Sequence, residues 1–369
     1  MLDITAKHPL TTTDLPIPPL AIETPCFVIL EDAVMANLER TAAAAGGMAR
    51  LMPHVKTHRA PWLVERMLAR GVTGFKTATP AEIEMALAAG APQVVWAFPT
   101  VNHAAIARVI RAAAAHPGAT VTGLVDSDEG LAAWAAELAA RPGVQSSANV
   151  RLRVDLDPGL GRTGIAMSDA AIALARGVQE AGVFGGWHVY DGHIHDADKA
   201  TRARRVAEIA ARLRALLAGA RQAGLDGDVI AGGSYSFNLW PADLVARVSP
   251  GSFTYSSSEH AADLADLGWR IAGYVVATVI SVRAGSATLD AGAKAISPDK
   301  PMTERFAGAG AIRFMNEEHV VVASDRLRVG ERVALVPRHA CTAAYLYERA
   351  LVRGTDGSWE YRAQLGAKR

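Results

Sequence analysis

The sequence predicts an α/β protein: a (β/α)8 TIM barrel followed by a second, C-terminal all-β domain. Three observations carry this. Short apolar or β-branched runs alternate eight times with alanine-rich stretches of helical period. After about residue 262 the texture changes to short β-rich runs separated by Gly, Asp and Pro. A length of 369 residues, half of them hydrophobic, exceeds what one small core needs.

The eight runs are 51–56, 74–79, 93–98, 120–126, 149–156, 184–190, 228–233 and 246–253. Helices are expected at 60–70, 80–89, 104–115, 128–140, 168–181, 199–223 and 241–246, each ending near Gly, Pro or a short polar turn, with an extra helix at 31–45 ahead of the barrel. Repeated strand and helix alternation argues for a parallel sheet closed on itself. The second domain is expected to hold strands at 271–282, 286–289, 308–314, 318–322, 332–336 and 359–363. The barrel is thus assigned residues 25–260, and the β domain residues 1–24 and 261–369, with the proline-rich arm at 16–19 packing on the latter.

With 38 basic against 37 acidic side chains, the chain lacks the basic excess of a phosphate-reading surface, so no nucleic-acid partner is expected. Cys26 and Cys341 are the two cysteines and cannot form a secreted-type disulfide framework. No window approaches 18 uninterrupted apolar residues and the N-terminus has no apolar signal core, so no membrane partner and a cytoplasmic location are expected.

In such a barrel the reacting groups sit at the C-terminal ends of the strands, and the loops after strands 7 and 8 often hold a phosphate. Strand 7 ends in Gly232-Gly233-Ser234 and strand 8 in Pro250-Gly251-Ser252. Glycine lets the backbone approach an anion, and the N–H and hydroxyl groups donate to it. Either loop alone is equally well an ordinary glycine turn; the coincidence of both points to a phosphate. The first strand ends in Pro53-His54-Val55-Lys56-Thr57-His58. There Lys56, beside His54, is a candidate Schiff-base former, because a partly desolvated ammonium gives up its proton more readily. An isolated lysine is more often an exposed turn residue, but a lysine facing a phosphate site suggests pyridoxal 5′-phosphate.

Near the C-terminus stands Pro337-Arg338-His339-Ala340-Cys341. In a β-strand, His339 and Cys341 project on one face, where imidazole and thiolate suit a divalent cation such as zinc. Two ligands are fewer than the usual three, and a buried cysteine beside a hydrogen-bonded histidine is the commoner meaning of such a pair alone. His188, His193 and His195 cluster after strand 6, where one could serve as acid or base.

These segments, with Tyr190-Asp191-Gly192-His193, Leu289-Asp290-Ala291-Gly292-Ala293-Lys294-Ala295-Ile296-Ser297 and Asn316-Glu317-Glu318-His319, resemble the D-serine dehydratase and D-threonine aldolase family. Its members are fold-type III pyridoxal-phosphate enzymes related to alanine racemase. The resemblance runs from about Thr24 to Tyr347. It implies an alanine-racemase-type barrel, Lys56 as the lysine that holds the cofactor, and a divalent metal on His339 and Cys341 next to it. It also implies a homodimer whose partner contributes to the active site. The loop Asp157-Pro158-Gly159-Leu160-Gly161-Arg162-Thr163-Gly164 looks like the family's loop after strand 5. By inference Arg153 faces the pyridine nitrogen, and Tyr190 flanks the ring. Two departures bear on the substrate pocket: Arg338 stands where a small or polar residue is common, and Thr342-Ala343-Ala344 replaces a frequent Pro-Thr-Val.

Members resembling D-threonine aldolases tend to carry His-x-Asp at the metal, and the dehydratases His-x-Cys. With Cys341, the resemblance implies a dehydratase of D-3-hydroxyamino acids (D-serine, D-threonine or D-3-hydroxyaspartate) that yields a 2-oxo acid and ammonia. The metal would be zinc, with manganese or magnesium as alternatives. A D-threonine-type aldolase, with His193 as base, is the alternative. A racemase and a non-catalytic cofactor carrier fit less well, since a carrier needs neither the β domain nor the His-x-Cys pair. Arg338 suits either an acidic substituent on the substrate or a surface ion pair.

Overall fold

The structure, a computed structural model, describes residues 14–141 and 149–369. The first thirteen residues of the segment assigned above to the β domain lie outside the described residues. The chain divides into two compact units, one formed by residues up to 41, by 57–60 and by 252–368, the other by 42–56, 61–251 and Arg369.

The larger unit is the barrel. Its parallel sheet runs in the order Phe75–Thr77, Gln93–Trp96, Thr120–Val125, Val150–Asp157, Phe184–Val189, Val229–Ala231, Arg247–Val248. Residues 51–54 close the ring: Leu51 bridges Val248 and His54 bridges Lys76, both in parallel. Met52 N–H donates to Val248 O, and Lys76 N–H to Pro53 O, each at 2.9 Å. This first stave falls short of a regular strand because Pro53 has no N–H for the ladder. The expected run 51–56 therefore shrinks to bridges, and Val55–Thr57 is a 3-10 turn.

The connecting helices match the periodicity within a residue or two: Pro61–Leu68, Pro80–Ala88, His103–Ala115, Asp128–Ala139, Asp169–Glu180 and Lys199–Gln222. Four of them start at side-chain caps, in which Thr79, Asn102, Ser127 and Asp198 accept the N–H of Glu82, Ala105, Gly130 and Thr201. The helix expected at 241–246 is instead a single turn, in which Leu244 and Val245 both donate to Pro241 O.

The other unit is a largely antiparallel nine-stranded sheet. Its main path runs Ile312–Met315, Val320–Ala323, Ser286–Leu289, Gly273–Arg283, Cys26–Leu30, Arg349–Arg353, Trp359–Ala363, and Arg332–Pro337 pairs with both Gly273–Arg283 and Phe306–Ala307. Cys26, read from sequence as the start of the barrel, lies here, opposite Val276. All five residues Cys26–Leu30 are buried, so both faces of this strand are covered, which a continuous apolar run allows. The proline arm docks on this unit: Tyr274 donates its hydroxyl to Pro16 O at 2.5 Å, and Arg332 reaches the carbonyls of Pro19 and Leu20 at 2.8 and 2.9 Å. No helix among the described residues is long and apolar enough to cross a membrane.

Candidate active site

At the C-terminal end of the barrel strands, three cations surround one aromatic ring. Tyr190, just past the strand Phe184–Val189, has Lys56 Nζ at 5.9 Å, Lys76 Nζ at 5.1 Å and the Arg162 guanidinium at 5.0 Å from its ring centroid. Contacts this close carry cation–π attraction. The ring is held by the backbone: a Cβ on Gly192 would come within 2.5 Å of it, and one on Gly233 within 3.1 Å. Lys56 is exposed and His54 buried. His54 Nδ1 accepts the Lys56 N–H at 3.3 Å, and burial, then Lys56 and Lys76, push its pKa well below the usual histidine value.

The loops after the seventh and eighth staves meet. Gly251 N–H donates to Ser234 Oγ across a long 3.4 Å, and Gly233 N–H to Ser236 Oγ at 3.0 Å. Gly232 has φ +80°, which a side chain disfavours. Buried Asp191 fixes this corner by accepting from Ser236 Oγ at 2.8 Å and Trp240 Nε1 at 2.9 Å. Ser252 opens the 3-10 turn Ser252–Thr254 and belongs to the other unit.

Arg153 is not at this mouth. Its Nη2 lies 2.5 Å from Asp228 Oδ1, and its Nη1 donates to Trp187 O and Asp228 O. Asp228 immediately precedes the strand Val229–Ala231, so the guanidinium turns toward the N-terminal rim. The expectation that it faces a ring nitrogen at the opposite rim is corrected accordingly. His188 is likewise committed inside the barrel. Its Nδ1 lies 2.6 Å from Asp155 Oδ1, and Thr163 donates to the other oxygen at 3.2 Å. Burial, then Lys76, lowers the pKa of His188 to about 4. His193 is half-buried, with Nδ1 unbonded among the described residues, and His195 is exposed, its ring nitrogen on His193 O.

Sequence reasoning missed Lys76 and assigned no role to Arg162. The signal for Lys76 was present: a lysine inside the apolar strand Phe75–Thr77, where a charge is costly. It is 2% exposed, and burial, then the neighbouring Lys56, brings its pKa down to about 7.

In the second unit, His339 and Cys341 do not lie on a strand. His339 is the N-cap of a short helix, Ala340–Ala344, so the shared strand face expected for the pair is replaced by a helix start, at which the Cys341 thiol still acts on the imidazole. Asp299, absent from the sequence reading, sets the imidazole: its Oδ2 is 2.5 Å from His339 Nδ1 and its Oδ1 accepts from Thr342 Oγ1 at 2.6 Å. Burial disfavours the charged imidazole, but Cys341 and Asp299 outweigh it and raise its pKa to about 9. Thr57 Oγ1 lies 3.2 Å from Cys341 Sγ. Among the described residues no group of three or more His, Cys, Asp or Glu is placed to hold a metal, so two protein donors are what this cluster offers. Arg338 is taken up by ion pairs with Glu259, at 3.2 Å, and with Glu304, the surface-pair alternative stated above.

Comparison with known proteins adds two family matches: "Alanine racemase, N-terminal domain" over residues 29–259 and "Putative serine dehydratase domain" over residues 272–353. The chain is 28% identical to D-threonine aldolase of Arthrobacter sp, over 95% of this chain and 94% of that one. It is 26% identical to D-threo-3-hydroxyaspartate dehydratase of Delftia sp. strain HT23, over 92% and 97%. A cysteine-to-alanine mutant of a D-threo-3-hydroxyaspartate dehydratase, solved in a metal-free form, superimposes with a TM-score of 0.81, at 23% identity over 94% and 98% of the two chains. D-threonine aldolase from Filomicrobium marinum superimposes with a TM-score of 0.82, at 24% identity over 93% and 95%. With more than half its length matched by the first of those families, the chain belongs to the proteins built on the alanine racemase N-terminal domain.

Proposed function

We propose that the protein is a pyridoxal-phosphate- and divalent-metal-dependent lyase that dehydrates D-3-hydroxyamino acids to a 2-oxo acid and ammonia. The relatives include both an aldolase and a dehydratase and so do not choose between the reactions. What supports dehydration is Cys341 two positions after His339, the His-x-Cys pattern that the dehydratases of the resembled family tend to carry, with the imidazole anchored on Asp299 and a nitrogen and sulfur pair suited to zinc.

The barrel residues fit the cofactor. Three cations about Tyr190 suit an anionic aromatic ligand, and the Ser234–Gly251 corner supplies hydroxyl and amide donors for a phosphate. Pyridoxal phosphate bound there supplies an electron sink that makes a substrate Cα–H acidic. Lys56 would be the amine that holds the cofactor, and its side chain would take up the substrate Cα proton. Tyr190 orients the ring, and Asp191 keeps the phosphate corner in shape through Ser236 and Trp240. His339 and Cys341 would hold the cation that polarises the β-hydroxyl, a poor leaving group unaided. Asp299 points the imidazole, and the Arg338 pairs leave that residue no claim on an acidic substituent. We further propose zinc as the metal, a homodimer as the assembly, and the cytoplasm as the compartment, where the free thiols Cys26 and Cys341 stay reduced.

The test is product analysis. The protein is incubated with pyridoxal phosphate, zinc and a panel of D-3-hydroxyamino acids, with 2-oxo acid, ammonia, glycine and aldehyde followed separately. Equal 2-oxo acid and ammonia support dehydration; glycine with aldehyde would establish the aldolase instead.

A further inference from the structure

Lys76 was counted above only as one of three cations around Tyr190; it is the buried one of the three. The bridge from His54 to Lys76 sets it beside the stave that ends at Lys56, and its strand, Phe75–Thr77, is buried throughout. Its Nζ, 5.1 Å from the Tyr190 centroid, makes no hydrogen bond or ion pair with a carboxylate among the described residues. The two carboxylates whose charge reaches it are Asp155 and Asp191. Asp155 is engaged by His188 and Thr163, and Asp191 by Ser236 and Trp240. Lys56 and Arg162 beside the same ring add repulsion rather than relief.

Desolvating an ammonium without an anionic partner is costly, whereas leucine or methionine would fill the same strand position at no such cost. A cation kept in this setting is explained by an anion that arrives with the ligand. The phosphate already has the Gly and Ser corner, which leaves the other anionic oxygens of the bound molecules.

We propose that Lys76 is a ligand-binding residue of the barrel mouth that holds an anionic oxygen, either the phenolate of pyridoxal phosphate or the carboxylate of the amino-acid substrate. The inference rests on reading the barrel mouth as a pyridoxal-phosphate site. With its pKa near 7, Lys76 is only partly charged at neutral pH, and an anion beside it draws it fully to the ammonium.

Two spectroscopic titrations of wild type and Lys76→Met test this without turnover. The first follows the visible absorbance of added pyridoxal phosphate, and the second follows the band shift as D-alanine, which lacks a β-hydroxyl, is added to the loaded protein. If the phenolate is the partner, Lys76→Met weakens cofactor binding at least tenfold in the first titration. If the carboxylate is the partner, cofactor affinity stays within twofold and the D-alanine dissociation constant rises at least tenfold. Both constants within twofold of wild type would overturn the role of Lys76 while leaving the cofactor site standing. A wild-type protein that develops no visible band would remove the cofactor reading and this inference together. Should Lys76→Met fail to fold by circular dichroism, Lys76→Gln enters the same two titrations.

Discussion

Asp299 fixes His339: a 2.5 Å contact joins Oδ2 to Nδ1, and the second carboxylate oxygen is pinned by the Thr342 hydroxyl at 2.6 Å. A carboxylate on one ring nitrogen selects the tautomer that presents the other nitrogen to a metal. Asp299→Ala is therefore expected to lower zinc affinity about 10- to 100-fold, read by competition with a chromophoric chelator. A zinc affinity equal to wild type would show that the carboxylate serves the local fold only.

Cys341 is expected to be indispensable to turnover and dispensable to folding. It sits partly exposed, so Cys341→Ser should change the melting temperature by only a few degrees while abolishing 2-oxo acid formation. EDTA should have the same effect on wild type, reversed by added zinc or manganese. Full activity after exhaustive chelation would remove the metal from the mechanism.

Gly192 leaves no room for a side chain: an added Cβ would stand 2.5, 2.7 and 2.8 Å from Cε1, Cζ and Oη of Tyr190, against 3.1 Å to Cε2 for one at Gly233. Gly192→Ala must displace the ring and should cost about 1–3 kcal/mol by denaturant unfolding, with weaker cofactor binding. Gly233→Ala should be milder in both assays. The reverse order would mean that the ring yields more easily on the Gly192 side.

Stability should rise with pH in two windows. His188, with a pKa near 4 folded against 6.5 free, binds its proton more tightly in the unfolded chain. It therefore destabilises the fold progressively as pH falls from about 6.5 to about 4, by up to roughly 3 kcal/mol. Lys76, near 7 folded against 10.5 free, carries its burial penalty in full below pH 7 and sheds it as pH rises toward 10.5. Melting curves of the cofactor-free chain should show His188→Gln flattening the acid window and Lys76→Met the alkaline one. Unchanged slopes in either variant would assign that window to other groups.

Asp228→Asn separates the two readings of Arg153. The carboxylate is half-exposed but the guanidinium is buried, so losing their contact should cost about 1–3 kcal/mol of stability and leave the pyridoxal-phosphate titration unmoved. A weakened titration would return Arg153 to the cofactor.

The alternation from 74 to 233 was legible because each helix there is amphipathic or alanine-rich and four of the five begin at a side-chain cap. The first stave was legible in position but not in form, since Pro53 breaks its ladder and only bridges to Val248 and Lys76 survive. Lys56, Tyr190 and the glycine loops lie at the ends of the staves, so the strand assignment alone brings them to one rim. Arg153 was misplaced because a sequence shows which residues share a strand but not which rim a long side chain seeks. Asp299 escaped because the fold, not the spacing, carries it across 40 positions to His339. The strand Cys26–Leu30 was not among the runs read from the sequence, and nothing local says that its partners are Gly273–Arg283 and Arg349–Arg353.

That last pairing has a cost during synthesis. Cys26 meets Val276, and Val28 meets Leu351, so the apolar segment Cys26–Leu30 leaves the ribosome about 250 residues before either partner exists. At roughly 5–20 residues per second the wait lasts about 12–50 s. Throughout it a flat hydrophobic segment with unpaired backbone groups is open to other chains. Slow translation or a shortage of chaperones should therefore show first as aggregation of nascent chains, before any loss of activity in molecules already folded.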